Sequence, residues 1–230
     1  MEGHYMNYKA GLACGNTTNC TDSSGCPTDQ CPDFSIKRND TFPFFKVAVS
    51  DCDGPLDLTD ENLTVTASIW GKTKLKSAID DSTTTIAFAD NIGFDQIAVG
   101  DVIYMDRVRN TEKMAVESFD EEAYTITVER GYDGTTPSAW DKGDKLTFFR
   151  KVDEPASIET VLEDIEQLDG TILTDQLVES YLVYEWDESD TTNPGCYWLQ
   201  FKLTNSDDNW VRRFPETSDG FLIKIYDATV

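Results

Sequence analysis

The sequence predicts a mainly β protein organised as a β-sandwich. Three observations carry this. Short runs alternating apolar and polar side chains recur at spacings of roughly 10 residues. Glycine, aspartate, asparagine and proline punctuate them as turn residues do. A single segment, 155–169, shows helical periodicity.

Residues 1–34 are read as an irregular N-terminal arm. Gly, Asn, Thr, Ser and Asp surround Cys14, Cys20, Cys26 and Cys31, and few apolar side chains are present to build a core. Texture changes at Thr41. Phe42–Ser50 reads as a strand, and Asp51-Cys-Asp-Gly-Pro55 as a turn. Asn62–Trp70 alternates Leu63, Val65, Ala67 and Ile69 against polar or small partners, as a half-buried strand does. Residues 80–150 form a second block, with strands expected at Thr85–Phe88, Val102–Met105, Met114–Phe119, Tyr124–Glu129 and Leu146–Phe149.

The amphipathic helix is expected over about 155–169. Pro155 suits a first helical position, and Ile158, Val161, Leu162, Ile165 and Leu168 form one apolar stripe. Gly170 would end it. Strands resume at Tyr181–Trp186. After a polar loop, Asp187–Gly195, the residues Tyr197, Leu199, Phe201 and Leu203 share a face opposite Gln200, Lys202 and Thr204. Trp210–Phe214 and Phe221–Tyr226 complete the set.

The 230 residues suffice for one large or two small cores. The 43 acids against 19 bases, a formal net charge of −24, argue against nucleic-acid binding, which needs clustered Lys and Arg. From Val152 to Gln200 there are 13 acids and no Lys or Arg. That stretch is read first as a solvated face, then as a docking surface for a basic partner or a divalent-cation site. No apolar run approaches the roughly 20 residues that span a bilayer. Met1–Tyr8 has neither the basic nor the apolar region of a signal peptide, so no membrane association and folding in a cytoplasm are expected.

Two groups of residues carry a resemblance. Asp53-Gly-Pro-Leu-Asp-Leu58, Gly195-Cys-Tyr-Trp-Leu-Gln-Phe201, Phe214-Pro215 and Ile223-Lys-Ile225 resemble the N-terminal domain of the upper baseplate proteins of lactococcal siphophages. Pro55 follows Gly54 directly here, where that family has one residue between them. The likeness covers about 115 residues in two pieces. It implies an Ig-like sandwich over 35–79 and 151–230. Between the pieces, Val128, Arg130, Gly131, Gly134, Thr135, Gly143, Asp144 and Leu146 are similar to a small β-module of phage virion proteins, which implies an inserted small β-barrel or meander at 80–150. The cysteine-rich arm and the helix have no counterpart in that baseplate domain.

The cysteines at 14, 20, 26 and 31 are separated by 5, 5 and 4 residues. Disulfides are the first reading, since a segment without a core benefits from covalent closure. Four thiolates holding zinc or an iron–sulfur cluster are the second, although the spacing matches neither usual pattern. Free thiols are the third. Cys52 and Cys196 are read as buried thiols or an intermolecular bridge. His4 is the lone histidine, so a Ser-His-Asp or Cys-His pair could form only through it. Asp51, Asp53 and Asp57, and Asp187, Glu188 and Asp190, are solvated turns or calcium ligands. Of the tryptophans 70, 140, 186, 198 and 210, most fit core strands, whereas Trp198 projects opposite the apolar face and is a candidate interface residue. Arg212-Arg213, an isolated basic pair, suits contact with an acidic neighbour.

With the resemblance, these residues lead to an expected non-enzymatic virion component of a phage tail, baseplate or neck. It would assemble as a homo-oligomeric ring or collar beside other virion proteins, and adapt a fibre or receptor-binding protein. The arm would reach a neighbouring subunit. The alternatives are a module that binds host-surface carbohydrate and a capsid decoration protein. No P-loop or dinucleotide fingerprint suggests an enzyme.

Overall fold

The computed structural model describes residues 8–10, 32–51, 54–88, 97–107, 110–216 and 220–227. In chain order the strands are β1 (Tyr8–Ala10), β2 (Phe34–Lys37), β3 (Phe45–Asp51), β4 (Gly54–Pro55), β5 (Leu63–Lys74), β6 (Thr85–Ala87), β7 (Val102–Arg107) and β8 (Asn110–Asp120). They continue with β9 (Thr125–Arg130), β10 (Lys145–Pro155), β11 (Ser157–Glu166), β12 (Ile172–Tyr184), β13 (Gly195–Asn205), β14 (Trp210–Phe214) and β15 (Phe221–Tyr226). Two single turns of 3-10 helix, Tyr132–Gly134 and Glu188–Thr191, lie between strands. No helix among the described residues is long and apolar enough to cross a membrane.

The strands form two sheets, as the sandwich reading expects. One runs β1-β3-β12-β11, with β4 beside β3. The other runs β2-β15-β13-β5-β10-β7-β8-β9-β6, and β14 lies beyond β15 along the same flank of β13. Alternation sets the facing: along β13, Tyr197, Leu199, Phe201 and Leu203 are buried while the residues between them are half-exposed. Aromatic rings fill the space between the sheets. Phe45 of β3 stacks on Phe201 with centroids 6.0 Å apart and meets Phe221 edge-on at 5.3 Å.

The block between β5 and β10 closes on itself. Leu75 bridges Phe88, Ile79 bridges Trp140, and the Lys76 amide donates to the Ala87 carbonyl at 2.9 Å. The path β5-β10-β7-β8-β9-β6 therefore returns to the extension of β5 as a small barrel. Ile86, Ile103, Met105, Met114, Ile126 and Phe148 fill it. β5 and β10 pair from Lys74↔Lys145 to Thr66↔Pro155, through barrel and sandwich alike, so one continuous core serves both. Arg150 is an extra residue of β10 between the pairs Phe149↔Trp70 and Lys151↔Ile69, and this bulge sits where barrel passes into sandwich.

The expected helix over 155–169 is corrected. Residues 157–166 are strand β11, paired antiparallel with β12 from Ser157↔Val183 to Glu166↔Ile172. Ile158 alone of the supposed stripe packs against the core; Leu162, Ile165 and Leu168 face solvent. β12 offers a hydrogen-bonded partner along the whole segment. β-branched Ile158, Thr160, Val161 and Ile165 favour the same outcome. Gly170 does occupy a positive-φ position, at 81°, in the β11–β12 turn instead of a helix end. Within the arm read as irregular, Tyr8–Ala10 pairs parallel with β3.

Candidate assembly surfaces

The distinctive residues of the small barrel hold its architecture. Arg130 at the end of β9 and Glu112 on β8 are both buried. Arg130 Nε donates to Glu112 Oε1 at 2.6 Å and Nη2 donates to Oε2 at 3.0 Å. The remaining guanidinium hydrogens go to the carbonyls of Asp80, Thr83 and Ser138 at 2.6–2.7 Å. Glu112 Oε2 also accepts from Trp140 Nε1 at 2.7 Å and the Ser138 amide at 3.0 Å. Burial alone would push the Glu112 carboxyl up. The hydrogen bonds from Arg130, Trp140 and Ser138, with the Arg130 charge, outweigh it and hold the group below its ordinary value. Gly131 follows at φ 68°, where a Cβ would lie 2.8 Å from the Thr135 carbonyl. Thr135 Oγ1 accepts from the Lys113 amide and donates to the Tyr132 carbonyl. Asp144 accepts from the Asp141 amide at 2.8 Å and closes the turn before Leu146 enters the core.

A second polar group joins barrel to sandwich. Arg150 lies over the Tyr197 ring and donates to its hydroxyl at 3.4 Å and to the Ser189 carbonyl at 3.1 Å. Tyr197 in turn donates to the Asn193 carbonyl. Asp101, beside Gly100 in the barrel, is 5% exposed and accepts from the Ala98 amide. Burial pushes its carboxyl up to about 6, against the pull of that amide and of Arg150. Next to this junction a cleft of about 960 Å³ is lined by Arg38, Phe119, Tyr124, Asn193, Lys224 and Tyr226, among others.

The acidic turns serve local structure. Asp57 accepts from the Thr59 hydroxyl and amide, which hold its carboxyl below its ordinary value. Asp187 and Asp190 form a reciprocal cap on the 3-10 turn, and buried Asp190 accepts from Tyr184 Oη at 2.9 Å and lies 3.5 Å from Lys151 Nζ. Glu188 is exposed, and Asp53 and the Asp51 side chain lie outside the described residues. No three His, Cys, Asp or Glu gather as metal donors among the described residues. His4, Cys14, Cys20, Cys26, Cys31 and Cys52 lie outside them. Cys196 is disulfide-bonded, and it packs with Leu222 and half-buried Trp198 on the outer face of the large sheet. The expectation of a free thiol there is corrected.

Trp70, Trp140 and Trp186 are core residues. The Lys72 ammonium lies 4.7 Å over the Trp198 ring, which leaves this indole partly open to solvent. Arg212 and Arg213 are exposed on β14, and Arg213 reaches Gln200 at 3.5 Å. The same strand exposes Val211. The surface that residue-by-residue reading missed is the β11–β12 ribbon. β3 pairs with β12 only over Tyr181–Tyr184, so beyond that point β11 and β12 pair only with each other among the described residues. There Leu162, Ile165, Leu168 and Ile172 are exposed between Glu163, Asp164, Glu166, Asp169 and Asp175. The base-free acidic stretch was the sequence signal for it, masked by helical periodicity.

No protein-family model matches the chain, and neither does any curated protein.

Proposed function

We propose that this chain is a non-enzymatic structural component of a phage virion, placed in the tail, baseplate or neck, that acts by assembling with copies of itself and with neighbouring virion proteins. The β11–β12 ribbon carries the reading. A two-stranded ribbon is marginal in water by itself, and this one directs aliphatic side chains into solvent in a protein of net charge −24. Such a projection suits a partner surface better than a free monomer. The resemblance of the sandwich and barrel segments to phage modules supports the same role, and with it a location in the virion. The test is mass spectrometry of phage particles purified from cells carrying this gene. The expected result is the chain at several copies per particle, still bound after a salt wash. Its absence from pure particles overturns the reading.

One observation favours a second reading, recognition of host-surface carbohydrate. Phe119, Tyr124 and Tyr226 line the cleft beside Asn193, an aromatic and amide lining of the kind sugars stack and hydrogen-bond on. Millimolar or tighter binding of a surface glycan by the isolated protein would favour it.

A further inference from the structure

Two strand edges of this fold are complementary to each other and cannot meet within one molecule. The first is the outer part of β11, residues 161–166, about 20 Å of ribbon at ~3.3 Å per residue. It pairs with β12 on one side and with no strand on the other among the described residues. It offers Leu162 and Ile165, 47% and 43% exposed, between Glu163, Asp164 and Glu166. The second edge is β14, which pairs with β13 alone. It offers Val211, 53% exposed, with Arg212 and Arg213 on one side and half-buried Trp210 on the other. Neither arginine is ion-paired among the described residues.

Strand order separates the two edges. In the large sheet β13 and β5 stand between β14 and β10, and β10 turns the corner into β11. A strand that ends in solvent with free backbone donors and acceptors is a template for another strand unless something protects it. Each edge here carries charge of one sign, which repels a like edge and attracts the other. Two ribbons brought together would oppose acid with acid, and so would the rest of two chains of net charge −24. The arginine edge is a local exception to that repulsion.

Resting on the assembly role proposed above, we infer that the β11 edge of one copy docks parallel along the β14 edge of the next, with Leu162 on Val211, Glu163 on Arg212 and the acids that follow Glu163 near Arg213. Backbone hydrogen bonds across the new strand pair supply affinity, and the charges set partner and direction. Because the two surfaces differ, the contact is heterologous. It propagates head to tail and closes as a ring where the rotation per subunit permits. Opposite signs at the two edges also exclude a symmetric ribbon-to-ribbon dimer.

Charge exchange tests this on the full chain by native mass spectrometry and light scattering. One variant carries Glu163→Arg and Glu166→Arg; the other carries Arg212→Glu and Arg213→Glu. All four positions are exposed, and circular dichroism checks that each variant stays folded. The wild type is expected to form oligomers, and each variant alone to dissociate at least tenfold more readily. An equimolar mixture of the two variants is expected to reassemble, since the reversed ribbon of one then faces the reversed β14 of the other. A chain with all four substitutions should assemble by itself. Oligomers that persist in either variant alone, a mixture that stays dissociated, or a monomeric wild type overturns the contact. Particle content, measured separately, decides the virion role whatever the outcome here.

Discussion

The buried Glu112–Arg130 pair ties β8 and β9 to three loop carbonyls of the barrel. Replacing Arg130 with Met keeps an unbranched side chain and removes all five guanidinium hydrogen bonds. It leaves the Glu112 carboxylate, fully buried, with only Trp140 and Ser138, and strips the Asp80, Thr83 and Ser138 carbonyls of their shared donor. Removing one partner of a buried ion pair costs about 3–5 kcal/mol, because the survivor stays desolvated. For a chain of this size that corresponds to a fall in melting temperature of roughly 6–20 °C. Glu112→Gln keeps an oxygen acceptor for Trp140, and a loss of about 2 kcal/mol is expected. Replacing both residues by apolar ones, Glu112→Leu with Arg130→Met, leaves no buried charge, so the double variant should be more stable than the summed losses of Glu112→Leu and Arg130→Met alone by at least ~2 kcal/mol. Urea unfolding at constant m value measures all four variants. A loss below about 1 kcal/mol for Arg130→Met, or strict additivity, would refute the assignment of this pair as a buried, mutually dependent hub.

Asp101 predicts a pH effect. Its carboxyl titrates near 6 in the folded chain against 3.8 in the unfolded one, so the folded state holds a proton that the unfolded state has released. Asp101 therefore costs no stability below about pH 4, and stability falls as pH rises from there to 6, the loss reaching about 3 kcal/mol at neutrality. Asp101→Asn keeps an acceptor for the Ala98 amide. It should stabilise the protein at pH 7 and lose that advantage at pH 4; an equal effect at both pH values would sink the idea. At Gly71 on β5, an added Cβ would lie 2.0 Å from the Phe148 ring tip, which is fully buried across the strand pair. Gly71→Ala should cost more than about 2 kcal/mol through overpacking, with partial recovery in a Gly71→Ala, Phe148→Leu chain. Equal stability of Gly71→Ala and wild type by urea unfolding would show that the ring is free to move.

The strand positions of β5 and β13 were legible because over Leu63–Ile69 and Tyr197–Leu203 one face is buried and the other is not, and period-two alternation records that directly. The turns at Gly131, Gly134 and Gly143 were legible because positive φ selects glycine. Arg130 was legible only as part of a pattern. That it would gather Glu112, Trp140 and three loop carbonyls depends on chain closure across some 50 residues, which leaves no local trace. The role of Arg150 as a bulged residue at the junction was equally hidden.

The sequence by itself determined the β class and the acidic, base-free stretch, since these follow from composition and local periodicity. Only the tertiary structure decided that residues 157–166 are a strand. Their apolar spacing fits a helix as well as a ribbon, and the choice fell to whichever surface was available. β12 offered a continuous partner, so long-range backbone pairing overrode the local period and carried the apolar side chains out into solvent.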